Sequence, residues 1–209
     1  MTGTRRTPKS EKWLEAAYEL FAKEGAFGIQ VERLARILNL NKSAYYHYFG
    51  SADQFMVELI SYHKKNCLQL AQETSLCRNF ERDFLRCVVK YKVCILFQGQ
   101  LLRCAEHSSF NQAYRDGKVI MNTAILPLWC KFIQWEHDAA GALEFFNMIL
   151  NSFYAGAHYE NVTYRSLLHF MHDTVKLMQT VVRTPIRKQR SKTRQLGPLA
   201  FGHFLSSVR

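Results

Sequence analysis

The sequence predicts an all-α protein, in which a small N-terminal domain of three helices precedes a larger helical domain. The 209 residues include only 10 glycines and 4 prolines, so few positions interrupt a helix. Hydrophobic residues make up 48% of the chain and aromatic residues 13%, which is enough to bury a core. Along most of the chain the apolar residues recur at intervals of three and four, the period of an amphipathic helix.

The net charge of +11 is concentrated at the two ends of the chain. Residues 1–12 carry +3 and residues 183–209 carry +7, which leaves +1 for everything between them. Basic ends around a nearly neutral body favour a polyanion such as nucleic acid as the partner. An anionic membrane surface and simple solubility are the alternatives. No apolar run approaches the roughly 18 residues of a membrane span, so we expect no membrane-embedded segment.

The first helix is predicted to follow a flexible basic arm formed by residues 1–10. Ser10 can cap it, because a serine hydroxyl accepts a hydrogen bond from the free backbone N–H groups of the first turn. Gly25 is expected to end it after Glu24. One face of this helix carries the apolar residues Trp13, Ala17, Leu20 and Phe21.

Two short helices are predicted next, over Val31–Leu38 and Lys42–Tyr48. Asn39 suits a left-handed turn between them, since asparagine tolerates positive φ better than most residues. Asn41 can cap the second of them and Ser51 a long fourth helix. Two helices joined by such a turn form a helix-turn-helix, so we assign residues 11–51 to a DNA-binding domain.

In a helix-turn-helix the second helix enters the major groove with its N-terminal residues towards the bases. Tyr45 and Phe49 are expected to face the core, which leaves the intervening side chains for DNA. Lysine, serine and alanine at the start of the helix suit base edges and phosphates, and tyrosine and histidine suit phosphates. The predicted DNA-binding residues are Gln30, Arg33, Lys42, Ser43, Ala44, Tyr46 and His47, with Arg5, Arg6 and Lys9 in the arm.

Residues 13–55 resemble the DNA-binding domain of the TetR family of regulators. The resemblance rests on AAYELFAKEG at 16–25, VERLA at 31–35, LNKSAYYHYF at 40–49 and SADQF at 51–55. The sequence departs from the family's pattern at three places. Before the second helix the family usually has a threonine or serine, and this sequence has Ile29-Gln30. In the turn the family usually has glycine, and this sequence has Asn39. Early in the fourth helix the family often has lysine, and this sequence has Ala52.

The resemblance implies that residues 52–182 bind a small effector molecule and form a homodimer, which would recognise a palindromic operator in double-stranded DNA. Aromatic residues are frequent in this part, and aromatic walls suit apolar ligands. Ordinary core packing is the alternative. The predicted effector-pocket residues are Phe84, Tyr91, Phe97, Phe110, Tyr114, Trp129 and Phe132. Helix breaks are expected near Gln98–Gly99 and near Arg115–Gly117, among others.

The last two helices are predicted over Ala142–His158 and Tyr164–Val182. Wide apolar stripes on terminal helices suit a two-fold four-helix interface, although packing within one subunit would also explain them. The predicted interface residues are Phe146, Ile149, Leu150, Phe153, Leu167, Phe170, Met171, Thr174, Leu177 and Met178. Residues 183–209 are predicted to form a disordered basic extension that attracts DNA regardless of its sequence.

The six cysteines do not show the spacing of a zinc site, so we expect no metal, no other cofactor and reduced thiols. The polar N-terminus lacks an apolar signal region, which predicts a cytoplasmic, nucleoid-associated protein.

The expected function is that of a repressor that a small molecule releases from DNA. Alternatives are a DNA-binding protein without an effector, one that senses redox state through Cys87 and Cys94, and a DNA-packaging protein. A helical enzyme is remote, because the histidines, including the pair His169 and His172, lack a catalytic partner motif.

Overall fold

The computed structural model describes residues 7–183 of the chain. These residues form helices joined by short turns, with no β-strand among them, which confirms the predicted all-α class. The helices are α1 (Pro8–Glu24), α2 (Val31–Leu38), α3 (Lys42–Phe49), α4 (Ala52–Ser75), α5 (Leu85–Lys90), α6 (Lys92–Arg103), α7 (Ser108–Ile133), α8 (Ala139–Gly156) and α9 (Tyr164–Arg183). Within this range no helix is both long and apolar enough to cross a bilayer.

The first helix begins earlier than the sequence analysis predicted. Thr7, not Ser10, is its N-cap, and the two residues form a reciprocal capping box in which each hydroxyl accepts from the other residue's backbone N–H, at 3.2 and 3.0 Å. Pro8 takes the first helical position, where its missing N–H costs nothing. The Thr-Pro pair therefore places Lys9 on the helix and not in a flexible arm. Arg5 and Arg6 lie outside the described residues, as does the segment after Arg183.

The helix-turn-helix forms as predicted from its turn chemistry. Asn39 adopts the left-handed conformation with φ of 51°, and the N–H of Leu40 donates back to the Ala35 carbonyl at 2.9 Å. The Asn41 side chain accepts from the Ser43 N–H at 3.0 Å and so caps α3. On the inner side of α3 the Tyr45 ring packs against Trp13 and Phe55, with ring centroids 5.5 and 5.0 Å apart.

The DNA-binding domain and the body share one continuous core. Phe97 of α6 stacks on both Tyr18 and Phe21 of α1, with ring centroids 4.6 and 4.1 Å apart. Helix α4 starts beside α3 at Ser51 and runs on into the body, where it packs along α7. Because one helix belongs to both parts, a change in the body can move the domain that carries α3.

Two of the predicted helix breaks are wrong. Gly99 lies inside α6 and Gly117 inside α7. A Cβ atom on Gly99 would lie 2.9 Å from the Tyr154 ring, and one on Gly117 would lie 2.6 Å from Oε1 of Gln98. These glycines therefore allow close approach between neighbouring helices and do not mark turns.

Candidate nucleic-acid interface and body cavity

The outer face of α3 carries the side chains predicted to bind DNA. Lys42, Ser43, Tyr46 and His47 are exposed, and Ala44 is half-buried. The inner face is fixed by Tyr45 and Phe49, which are 1% and 3% exposed. The helix is thus held from one side, while its first turns present polar groups on the other.

Two of the predicted DNA-binding cations, Lys42 and Arg33, have acidic partners. The Lys42 ammonium pairs with Glu32 of α2, and this hydrogen bond raises the pKa of Lys42 and lowers the pKa of Glu32. Arg33 binds the Glu24 carboxylate with both terminal nitrogens, one of them at 2.6 Å, and so ties α2 to α1. The sequence analysis gave Lys42 and Arg33 as DNA-binding residues and did not predict these pairs, which depend on how α1, α2 and α3 meet.

Two further predicted DNA-binding residues among those that the structure describes, Gln30 and Lys9, are also at the surface. Gln30 precedes α2 as its N-cap residue, is exposed, and makes no side-chain capping bond. Its side chain is therefore not committed to the helix end. Lys9 is exposed in the first turn of α1.

The body contains a nearly apolar cavity of about 80 Å³, which is bounded by α4, α5, α6, α7, α8 and α9. Its lining residues are Leu70, Thr74, Phe80, Phe84, Leu85, Val88, Ile95, Met121, Asn122, Ile125, Phe146, Ile149, Leu150, Phe153, Tyr154, Leu167, Phe170 and Met171. None of them is an aspartate, glutamate, lysine, arginine or histidine.

Of the predicted effector-pocket residues, only Phe84 lines this cavity. Phe97 is fully buried in the core between α1 and α4. Trp129 is equally buried, and its indole N–H donates to the Ala142 carbonyl at 2.8 Å. Tyr91 points outward and donates its hydroxyl to Glu73. Phe110, Tyr114 and Phe132 also pack away from the cavity, against neighbouring helices.

The predicted interface residues divide into two groups. Seven line the cavity: Phe146, Ile149, Leu150, Phe153, Leu167, Phe170 and Met171. Of these, Leu150, Phe153 and Phe170 are half-buried and so also reach the surface. Of the other three, Thr174 and Met178 are half-buried and Leu177 is 66% exposed. Met148 of α8, which the sequence analysis did not select, is 62% exposed.

Two polar atoms on residues of the cavity wall have no hydrogen-bond partner. They are the Tyr154 hydroxyl and Oδ1 of Asn122, both buried. The Asn122 amide nitrogen is satisfied by Asn147 at 3.0 Å. Burial raises the pKa of Tyr154 well above its ordinary value, so its hydroxyl stays protonated and can donate. Buried polar groups are rarely left unpaired, so these two atoms, which are not exposed to the cavity in this conformation, are candidates for contact with a ligand that separates the helices.

Comparisons with known proteins agree with this architecture. Residues 14–59 match the family model of bacterial regulatory proteins, tetR family. No curated protein matches the chain. A transcriptional regulator of the TerR/AcrR family from Aquifex aeolicus VF5 has a similar structure, with 21% identity, a TM-score of 0.56, and coverage of 82% of this chain and 98% of that one.

Two further solved structures have the same fold. A TetR-family transcriptional regulator from Mesorhizobium loti MAFF303099 is 14% identical, with a TM-score of 0.52 over 84% of this chain and 98% of that one. A transcriptional regulator from Streptomyces coelicolor A3(2) is 11% identical, with a TM-score of 0.52 and coverage of 85% of this chain and 100% of that one. The resemblance to the TetR family, first noted on the N-terminal motifs, is therefore confirmed. The matched family model describes bacterial regulatory proteins.

Proposed function

We propose that this protein, which carries a TetR-type helix-turn-helix, is a homodimeric transcriptional repressor that a small apolar effector releases from a palindromic operator. The observation that carries the proposal is the division of α3 into two faces. Tyr45 and Phe49 hold one face in the core, and the opposite face is polar, exposed and begins at a capped N-terminus. A cytoplasmic, nucleoid-associated location would follow from this role.

On DNA, the first turns of α3 would lie in the major groove. Lys42 and Ser43 would reach base edges, and Ala44 would contact a thymine methyl group. Tyr46 and His47 would donate to phosphates and fix the orientation of the helix. Lys42 would exchange its ion pair with Glu32 for a contact with DNA, so the carboxylate competes with the operator.

Dimerisation would bring two copies of α3 to half-sites about one helical turn apart, roughly 34–36 Å. The exposed apolar side chains of Met148 on α8 and Leu177 on α9 support an interface on these two helices. Because α8 and α9 also bound the cavity, a ligand that shifts them would alter the spacing of the two DNA-binding domains.

The cavity indicates the class of effector. Its lining lacks charged side chains, so a charged ligand would lose its hydration without compensation. A neutral, mainly apolar molecule with one group that accepts from Tyr154 and donates to Asn122, such as a hydroxyl, fits best. Cavities for drug-sized ligands span about 300–1,000 Å³. The present volume of about 80 Å³ therefore requires the helices to separate on binding.

A gel shift and footprint on the DNA upstream of its own gene, with and without neutral apolar candidate ligands, tests the proposal. We expect protection of a palindrome, and release by ligands that bind the chain. Matched variants separate the two parts: Ser43→Ala should change operator preference, while Asn122→Leu should leave operator binding intact and abolish release. Binding without any sequence preference would instead indicate a DNA-packaging protein.

A further inference from the structure

A cluster of nitrogen and sulfur ligands lies where α1, α4 and α6 meet, and none of its residues lines the body cavity. It consists of His63 and Cys67, one turn apart on α4, and Cys94 on α6. All three side chains are buried, with exposures of 1%, 0% and 2%. Buried histidine is uncommon unless its ring nitrogens have defined partners, and here a chain of hydrogen bonds supplies them.

That chain of hydrogen bonds sets which nitrogen of His63 carries the proton. The side-chain nitrogen of Gln98 donates to the Tyr114 carbonyl at 2.7 Å, which turns the Gln98 oxygen towards His63. This oxygen only accepts, and it lies 2.7 Å from Nε2, so Nε2 must be the protonated nitrogen. The Nδ1 lone pair is then free to accept, and it faces the Tyr18 hydroxyl at 2.8 Å. Histidines that bind metals are commonly oriented by such a carbonyl behind the ring.

The three ligand atoms form a nearly regular triangle. Nδ1 of His63 lies 3.9 Å from the Cys67 sulfur and 4.0 Å from the Cys94 sulfur, and the two sulfurs are 3.7 Å apart. A point in this triangle lies about 2.2 Å from all three atoms, which is between the usual zinc–nitrogen and zinc–sulfur bond lengths. The Cys67 sulfur also lies 3.4 Å from Nε2, so the three ligands reach a shared ion once the imidazole ring turns its Nδ1 lone pair from the Tyr18 hydroxyl towards the sulfurs.

We propose that His63, Cys67 and Cys94 bind one thiophilic d¹⁰ metal ion, Zn²⁺ or Cu⁺. Thiolate and imidazole ligands select these ions over hard cations such as Mg²⁺. On binding, the two thiols release their protons to solvent, and the Tyr18 hydroxyl gives up its bond to Nδ1 and becomes the nearest candidate for a fourth ligand. Two thiolates, a neutral imidazole and Zn²⁺ have no net charge, whereas Cu⁺ leaves a buried charge of −1 if both thiols ionise. Electroneutrality therefore favours zinc.

The position of the site gives it a structural consequence. Its ligands join α4 to α6, and the hydroxyl it displaces belongs to α1, the first helix of the DNA-binding domain. An ion that binds only the folded chain stabilises it, so its loading is measurable without DNA. The assignment stands independently of the proposed regulatory function.

The test uses the reduced full-length chain with Cys77→Ser and Cys87→Ser, because these two sulfurs, also 3.7 Å apart, form a second pair. Equilibrium dialysis measures the content and affinity of Zn²⁺. Competition with a coloured chelator measures the affinity of Cu⁺, and the thiolate charge-transfer absorption of Co²⁺ reports its binding. We expect one ion per chain, with a raised thermal midpoint. Cys67→Ser and Cys94→Ser should lose the ion, and Cys130→Ser, which removes a buried thiol outside the cluster, should retain it.

Gln98→Leu tests the orienting hydrogen bond, and it should lower metal affinity about 10–100-fold while both sulfurs remain. Binding of Cu⁺ but not Zn²⁺ would support the site and identify its ion. If the ligand variants do not fold, the Co²⁺ spectrum of the background protein still reports whether two thiolates bind. A folded background protein that binds none of the three ions, or equal binding in the Cys67→Ser and Cys130→Ser variants, would overturn the proposal.

Discussion

At the scale of single residues, α3 separates side chains that hold the fold from side chains that are free to bind. Tyr45 and Tyr46 are adjacent and chemically identical, yet one is 1% exposed and the other 47%. The Tyr46 ring still packs edge-on against Tyr45, with ring centroids 5.2 Å apart. Its hydroxyl end therefore remains available for contact with DNA. A substitution that removes the hydroxyl alone can therefore test DNA contact without disturbing the helix.

We expect Tyr46→Phe to weaken binding to all DNA sequences by about 10–100-fold, because a hydrogen bond to a charged phosphate contributes about 1.5–3 kcal/mol. The salt dependence should stay unchanged, since a neutral hydroxyl releases no counterion. Fluorescence anisotropy on operator and random duplexes at several salt concentrations measures both quantities. Full affinity in the variant would remove Tyr46 from the set of phosphate contacts.

The Lys42–Glu32 pair gives a second test at this scale. Glu32→Gln should strengthen binding to random DNA several-fold, because it frees Lys42 and removes a negative charge from the face that meets phosphates. In a double-mutant cycle, the gain should shrink when Lys42 is already glutamine. Glu19→Gln is the matched control, as Glu19 pairs with Lys23 on α1. Equal gains from the two glutamine variants would mean that only net charge matters.

At the scale of elements, glycines mark the places where helices approach most closely. We expect Gly99→Ala to lower the free energy of unfolding by about 1–3 kcal/mol, because the added methyl group would press on the buried Tyr154 ring. Gly156→Ala is the control, since a Cβ there meets nothing within 4 Å, and it should be neutral or stabilising by about 0.4–1 kcal/mol. Urea unfolding followed by circular dichroism gives both values. Equal stability of the two variants would contradict this account of Gly99.

At the scale of the whole molecule, the exposed apolar side chains of the last two helices bear on the oligomeric state. Leu177→Glu should produce a folded monomer that loses palindrome binding, because a charge would be buried at the proposed interface. Leu76→Glu, at a position 76% exposed after α4, should remain dimeric. Light scattering at micromolar concentration distinguishes the two. A monomeric wild-type chain would refute the dimer, and a dimeric Leu177→Glu would place the interface elsewhere.

The sequence by itself determined the features that depend on neighbouring residues. Asn39, Asn41 and Ser51 adopt the turn and capping roles assigned to them, because the left-handed turn and the two caps involve backbone groups only a few residues away. The helix-turn-helix motif and the inward direction of Tyr45 and Phe49 follow from the same local periodicity. Thr7 was missed as a cap although its signal, a threonine before Pro8, is local too.

Only the tertiary structure decided which helices meet and what lies between them. Periodicity shows that a stripe on α8 or α9 is apolar, but it cannot say whether the stripe covers a cavity in its own subunit or a second copy. The same limit applies to the pairs Arg33–Glu24 and Lys42–Glu32. The cluster of His63, Cys67 and Cys94 escapes any spacing rule, because its third ligand comes from another helix. The position of this cluster is set by the crossing of α1, α4 and α6, where packing of Phe97 against Tyr18 and Phe21 fixes the distance between helices.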